Sequence, residues 1–224
     1  MKKPIVAIDG PAGSGKSTVT HLLSKKLGYT HIDTGALYRA IAYKAADCGI
    51  SIEEGLKLGE LAAQTRLQFK EGNQIHCDGK NIAKLIRTPE ISMAASRISA
   101  HPEVRFALLG LQREMGKKGG VVLEGRDIGT VVFPNAEVKF FLTASVDSRA
   151  RRRMIELEDK GIYFDFEEVK KQVIDRDKGD TERKAAPLKK AADAIEIDTT
   201  KMTVEEVVET LENIVKEKET KANV

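Results

Sequence analysis

The chain has no tryptophan and only two cysteines, and aromatic residues fill just 5% of its 224 positions. Scarce aromatic rings leave no run of stacking platforms, so binding of single-stranded RNA or DNA through its bases is unsupported. Cys48 and Cys77 follow no metal-ligand spacing and no secretory leader precedes them, so a reduced, cytoplasmic compartment is expected, with Cys48 in the core and Cys77 in a strand. No apolar run approaches the roughly 20 residues that span a bilayer, which excludes a transmembrane helix and predicts no membrane partner. Neither sign of charge dominates: 37 Lys and Arg against 34 Asp and Glu leave a net charge of +3, no global case for a nucleic acid partner or a membrane surface. Internal repeats and Pro- or Ser-rich linkers are also absent. A chain of this length without them predicts one domain over 1–224 with a full core, and a monomer, because no apolar surface stripe is left over.

What the chain does have begins at residues 5–18, an apolar strand running into Gly10-x-x-x-x-Gly15-Lys16-Ser17. In such a phosphate loop the backbone N–H groups of Gly10, Pro11, Ala12, Gly13, Ser14 and Gly15, proline's excepted, must turn inward around an anion, a path glycine allows at little steric cost. The helix that follows, opening with Lys16, Ser17 and Thr18, aims the positive end of its dipole at the phosphates. Lys16 reaches the outer phosphates, and the Ser17 hydroxyl suits a magnesium ion. A nucleoside triphosphate with Mg2+ is the expected ligand.

Beyond the loop, Val19, Leu22, Leu23 and Leu27 keep helical spacing and Gly28 stops the helix. A short strand over 29–32 ends in Asp33-Thr34-Gly35, ahead of a helical run over 36–48 closed by Gly49. Ligands collect at such strand ends, so Thr34 and Arg39 are candidates for one crevice. Over 58–96 the pattern changes. Leu67 and Phe69, then Ile75 and Cys77, alternate around Glu71-Gly72-Asn73, and Asp78-Gly79 makes another turn, predicting an antiparallel hairpin. A hairpin does not fit a parallel core, so 58–96 is an insertion that returns through a helix starting at Thr88-Pro89.

A helix from Pro102 with the stripe Val104, Leu108, Leu111 and Met115 ends at Gly119-Gly120 and carries Arg105 one turn in. Val121-Val122-Leu123 has the character of a buried parallel strand and delivers Glu124-Gly125-Arg126-Asp127 beside the phosphate loop. A fourth strand over 138–142 leads to a helix capped by Ser145 or Asp147, on which Arg149, Arg152 and Arg153 share a face. A helix over 167–176 then runs into a charged, glycine-broken stretch from Arg176 through Asp177, Gly179 and Asp180 to Arg183, so a helical lid is predicted over 147–184. A fifth strand at 194–197 precedes the capping box Thr203-Val204-Glu205-Glu206. Its helix turns Val204, Val207, Val208, Leu211, Ile214 and Val215 inward and is expected to fray from Lys216 onward. The fold class is therefore α/β, a five-stranded parallel sheet flanked by helices, with an insertion and a lid.

Phosphoryl transfer between two anions needs positive groups spread over the moving oxygens, a task for arginines on a closing lid that also expels water. Four segments make the resemblance specific: residues 8–17, the run Asp33-Thr34-Gly35-Ala36-Leu37-Tyr38-Arg39, residues 124–132, and Arg176-Asp177 through Ala186-Pro187-Leu188. Nearly end to end, the chain resembles the bacterial cytidylate kinases, nucleoside monophosphate kinases with a P-loop kinase fold.

The resemblance implies transfer of the γ-phosphoryl group of ATP to CMP or dCMP, with UMP a poorer acceptor and the monophosphate bound by the inserted region. By position it implies that Ser96, Arg105 and Asp127 read the cytosine edge and that Arg39, Arg126 and Arg183 clamp the acceptor's phosphate. Arg176 and Asp180 would hold the sugar hydroxyls near Thr34, and Arg149, Arg152 and Arg153 would close over the ATP phosphates with Lys16. Thr34 and Glu124 stand where relatives often carry Ser and Asp, so the sugar contact and a water-mediated magnesium contact are expected to differ in detail.

Other readings of the same loop are a kinase for another small molecule, such as shikimate or dephospho-coenzyme A, a guanine-nucleotide switch, or a module of a nucleic-acid machine. The switch needs an Asn-Lys-x-Asp guanine reader that the chain lacks, and near-neutral charge opposes the module.

Overall fold

The computed structural model describes residues 3–70 and 73–221. Along the chain the elements are β1 (Ile5–Asp9), α1 (Lys16–Leu27), β2 (Thr30–Asp33), α2 (Thr34–Asp47), α3 (Gly55–Gln64), β3 (Leu67–Lys70), β4 (Gln74–Cys77), β5 (Lys80–Asn81), α4 (Pro89–Ile98), α5 (Pro102–Gly116), β6 (Val121–Gly125), β7 (Val138–Thr143), α6 (Val146–Glu158), α7 (Phe166–Glu182), β8 (Ile195–Asp198) and α8 (Val204–Lys221). They form two compact units. One comprises the residues up to His31, Gly119–Glu182 and the chain from Ala186 onward; the other comprises Ile32–Lys118 and Arg183–Ala185.

In the first unit the apolar run of β1 is buried along its whole length because both of its edges are paired. β6 and β7 flank it in parallel, setting Ile8 beside Glu124 and Phe140, and Asp9 beside Gly125 and Phe141. The five strands lie in the order β2-β6-β1-β7-β8. Val6, Ile8, Phe140 and Leu142 pack against Val19 and Leu23 of α1 and Val207, Val208, Leu211 and Val215 of α8, and full burial of such a side chain contributes about 1.5–3 kcal/mol. Gly28 ends α1 at φ 63°, letting its N–H and that of Tyr29 reach the Lys25 and Ser24 carbonyls. The helices α6 and α7 close on each other through Ala150, Leu157 and Val169.

The second unit has its own core, in which Leu37, Ile41 and Ala45 of α2 meet Leu58, Ile75, Ile82, Ile98, Val104 and Leu108. Its sheet is antiparallel, Leu67 opposite Cys77 and Phe69 opposite Ile75, the two alternations seen in the sequence. Asp78 and Gly79, at φ 50° and 87°, form the two-residue loop into β5. The other expected turn, Glu71-Gly72-Asn73, lies at its first two residues outside the described residues. Residues 58–96 all belong to this unit.

Several local expectations are corrected. Residues 55–64 form helix α3, which the pattern did not announce. Cys48 is exposed, because Ala45 is the last buried residue of α2 and position 48 falls beyond the core. The charged stretch after Arg176 continues as helix to Glu182; there Asp177 and Asp180 are engaged by arginines, so ion pairs hold a face that apolar side chains would otherwise hold. Val204, the first residue of α8, points outward. That helix also runs on past Lys216, which pairs with Glu212 at 2.6 Å, while 222–224 lie outside the described residues. No helix among the described residues is long and apolar enough to cross a membrane.

Candidate active site

The loop between β1 and α1 is held by its own side chains. The Ser14 hydroxyl donates to the Pro11 carbonyl at 3.0 Å, and the Lys16 ammonium donates to the same carbonyl at 2.6 Å. Gly10 must be glycine, since at φ 149° a Cβ would come 2.1 Å from the Leu142 carbonyl oxygen. Gly13 leaves room for α6, with a Cβ there only 3.0 Å from Arg149. Burial first, then the Arg126 guanidinium, pushes the Lys16 amine well below its ordinary value, with Glu124 pulling the other way. An anion bound beside Lys16 would favour its charged form.

The β1–β6 register brings the carboxyl end of β6 to this loop. The Ser17 hydroxyl donates to one oxygen of Glu124 at 2.6 Å, and His31 Nε2 donates to the other at 3.0 Å. With its only proton given to Glu124, Ser17 keeps its lone pairs for a cation. Hydroxyl and carboxylate oxygens are the hard donors magnesium prefers, so the pair fits that ion. Among the described residues no three His, Cys, Asp or Glu side chains form a dedicated metal cage. Glu124, a methylene longer than aspartate, still reaches Ser17.

After β6 the chain makes one π-helical turn, Ile128–Val132, whose i to i+5 bonds run from Val132 N–H to the Asp127 carbonyl and from Phe133 N–H to the Ile128 carbonyl. Asp9 anchors this turn, accepting from the N–H groups of Ile128 at 2.8 Å and Gly129 at 2.7 Å. Burial pushes the Asp9 carboxyl up to about 6 despite those two bonds. The turn presents Asp127, which is buried, and Arg126, whose Nε donates to Asp180 at 2.8 Å. Burial opposes the Arg126 charge, but the Asp180 carboxylate more than compensates and raises it above the ordinary guanidinium value.

Of the three candidate arginines on α6, Arg149, Arg152 and Arg153, two reach the loop region. Arg149 donates to the Ala12 carbonyl at 3.1 Å and pairs with Asp177 at 2.5 Å. Arg152 donates to the Thr199 hydroxyl at 2.9 Å and carbonyl at 2.6 Å, while that hydroxyl also lies 3.2 Å from the Ser14 carbonyl. Arg153 is instead engaged by Glu156 on its own helix at 3.0 Å. Arg176 lies on α7, one turn before Asp180.

The second unit carries the remaining candidates. Asp33 caps α2 through one oxygen, at 3.1 Å from Ala36 N–H, and through the other holds Arg39 at 2.6 Å. Thr34, the first residue of that helix, is buried. Arg105 lies over the Tyr38 ring, 5.4 Å from its centroid, and donates to the Ser99 carbonyl at 3.1 Å. Arg183 donates to the Ser99 hydroxyl at 3.2 Å, and that hydroxyl donates to the Ser96 carbonyl at 2.7 Å. Thus Ser96, Arg105 and Arg183 gather around one residue.

Sequence patterns missed Asp9, Asp33, Ser99 and Thr199. Asp9 and Asp33 end strands and had that signal; Ser99 and Thr199 had none.

Comparison with known proteins agrees with this geometry. The family model described as cytidylate kinase matches residues 6–217. A cytidylate kinase of Geobacter sp. strain M21 is 51% identical over 217 residues, covering 96% of this chain and 93% of the relative. One from Exiguobacterium sp. is 46% identical, covering 97% and 99%. Among solved structures, an uncharacterized protein from Eubacterium ventriosum shares the fold at a TM-score of 0.52 and 13% identity, over 96% of this chain and 99% of that one. With a match that runs almost from end to end at about half identity, the chain belongs to the cytidylate kinase family.

Proposed function

We propose that this protein transfers the γ-phosphoryl group of ATP to CMP or dCMP, giving ADP and CDP or dCDP, with UMP a poorer acceptor. The observation that carries this reading is the family match over residues 6–217, which includes the phosphate loop and every candidate site residue. The protein acts as a cytoplasmic monomer on small molecules in pyrimidine nucleotide metabolism.

The loop's N–H groups and Lys16 hold the β- and γ-phosphates. Ser17 and Glu124 would hold Mg2+ through their oxygens, and the ion would neutralise phosphate charge. Ser96, Arg105 and Asp127 read the cytosine edge. A uracil edge in the same place leaves buried polar groups unmatched, and that cost is the rejecting force. Arg39, Arg126 and Arg183 orient the acceptor's phosphate, and Thr34, Arg176 and Asp180 hold its sugar.

An oxygen of that phosphate attacks the γ-phosphorus in line, and the bond to the β–γ bridging oxygen breaks as ADP leaves. No covalent intermediate on the protein is needed. Arg149, Arg152 and Arg153 spread positive charge over the equatorial oxygens; Arg153 exchanges Glu156 for phosphate to do so, and closure of α6 and α7 keeps water from intercepting the group. Release of ADP, measured with ATP and Mg2+ against CMP, dCMP, UMP, AMP, GMP and shikimate, tests the reading. Fast turnover is expected with CMP and dCMP alone. Equal background hydrolysis with all six would leave only a triphosphate site.

A further inference from the structure

We infer that Ser99 is a positioning residue that aims Arg183 at the acceptor's phosphate and ties it to the residues that read the base. The inference rests on the kinase reading above.

Ser99 ends α4 as its C-cap and is buried. A serine hydroxyl has one proton to give and two lone pairs to offer. Here the proton goes to the Ser96 carbonyl at 2.7 Å, so the lone pairs are what remain for Arg183, and a guanidinium N–H only donates. The direction of both bonds is thereby fixed. The backbone carbonyl of Ser99 holds Arg105 at 3.1 Å, and its N–H continues the helix to Ala95 at 2.9 Å. Every polar group of Ser99 is thus committed, and three of the four commitments lead to Ser96, Arg105 or Arg183.

The hydroxyl is also suited to the task by being neutral. It fixes the plane of the Arg183 guanidinium without cancelling the charge that a phosphate is to meet, whereas a carboxylate there would compete with the substrate. Because one residue anchors both Arg105 and Arg183, the distance between the group reading the base and the group holding the phosphate is set by the end of α4 rather than by two independent side chains.

Ser99→Ala removes the hydroxyl and keeps the carbonyl, so Arg105 stays anchored while Arg183 loses its guide. The KM for CMP and the KM for UMP are both expected to rise about 3- to 10-fold, the scale of one ordinary hydrogen bond, because Ser99 acts on the phosphate only through Arg183. The ratio of kcat/KM for CMP over UMP should stay within about twofold, since the phosphate is common to both. The KM for ATP should not move, while the Tm should fall by a few degrees for the partly buried Ser96 carbonyl left unpaired. In an Arg183→Ala background, Ser99→Ala should raise the KM for CMP no further, a result a merely structural role would not give.

An unchanged KM for CMP in Ser99→Ala, an undiminished rise in the Arg183→Ala background, or a collapse of the CMP-to-UMP ratio overturns the inference while an active wild type preserves the kinase reading. A wild type that does not phosphorylate CMP overturns both.

Discussion

Asp9 couples its own protonation to the turn that presents Arg126 and Asp127. Its two oxygens hold the N–H groups of Ile128 and Gly129, and its carboxyl is raised by burial to about 6, against an ordinary value of 3.8. Because the folded state binds this proton more tightly than the unfolded state, the Asp9 contribution to stability is fully present below pH 3.8 and is lost as pH rises to about 6. Protonation also converts one acceptor oxygen into a hydroxyl, loosening the turn that presents Arg126 and Asp127. The KM for CMP should therefore rise as pH falls below 6. Asp9→Asn should show a raised KM at every pH and lose this pH dependence, along with the matching slope in urea-unfolding free energies across pH 4 to 6; an unaltered KM profile would contradict the assignment. The Gly10 to Ser17 loop was legible in the sequence because its geometry is local. Ser99 and Thr199 were not, because their partners are set by tertiary structure; Thr199 meets Ser14 across 185 positions of sequence.

Among the elements, α7 tests how far glycine breaks a helix. Gly179 lies inside it, and a Cβ there would meet nothing within 4 Å. Gly179→Ala is expected to stabilise the protein by about 0.5–1 kcal/mol, read from urea unfolding. A destabilised variant would mean that the helix is interrupted in solution. Caps with reciprocal side chains were readable: Thr203 and Glu206 exchange bonds at 2.8 and 3.2 Å, and Thr88 caps α4. Helix α3 was not, because Gly55 and Gly59 lower its intrinsic propensity. Gly59 is there for packing, since a Cβ would come 2.6 Å from that of Glu103 on α5. The length of α7 was hidden for another reason. Its inward positions after Val173 are aspartates whose arginine partners come from elsewhere in the chain, so no apolar period marks them.

For the whole molecule, a ligand that binds only the folded chain must raise its melting temperature. ATP at a hundred times its Kd should add about 2.7 kcal/mol, or roughly 5–10 °C for a chain of this size, by differential scanning fluorimetry. No shift with ATP would speak against the phosphate loop as a nucleotide site. The two hydrophobic cores also draw on different stretches of chain, one from between Ala36 and Leu108, the other from residues on either side of that stretch, Val6 to Leu23 and Val122 to Val215. The chain leaves and re-enters the parallel sheet at one place, where Thr30 N–H meets the Gly120 carbonyl at 2.9 Å. The strand order has a consequence during biosynthesis. β1 is translated first, yet both of its neighbours, β6 and β7, are translated after residue 120. A growing polypeptide on the ribosome thus has nearly all of its second unit available to fold while the apolar strand at its amino end still waits for partners. Of the residues proposed to bind the acceptor, Thr34, Arg39, Ser96 and Arg105 are made before the phosphate loop has its flanking strands, and that waiting strand is the segment a ribosome-associated chaperone would meet.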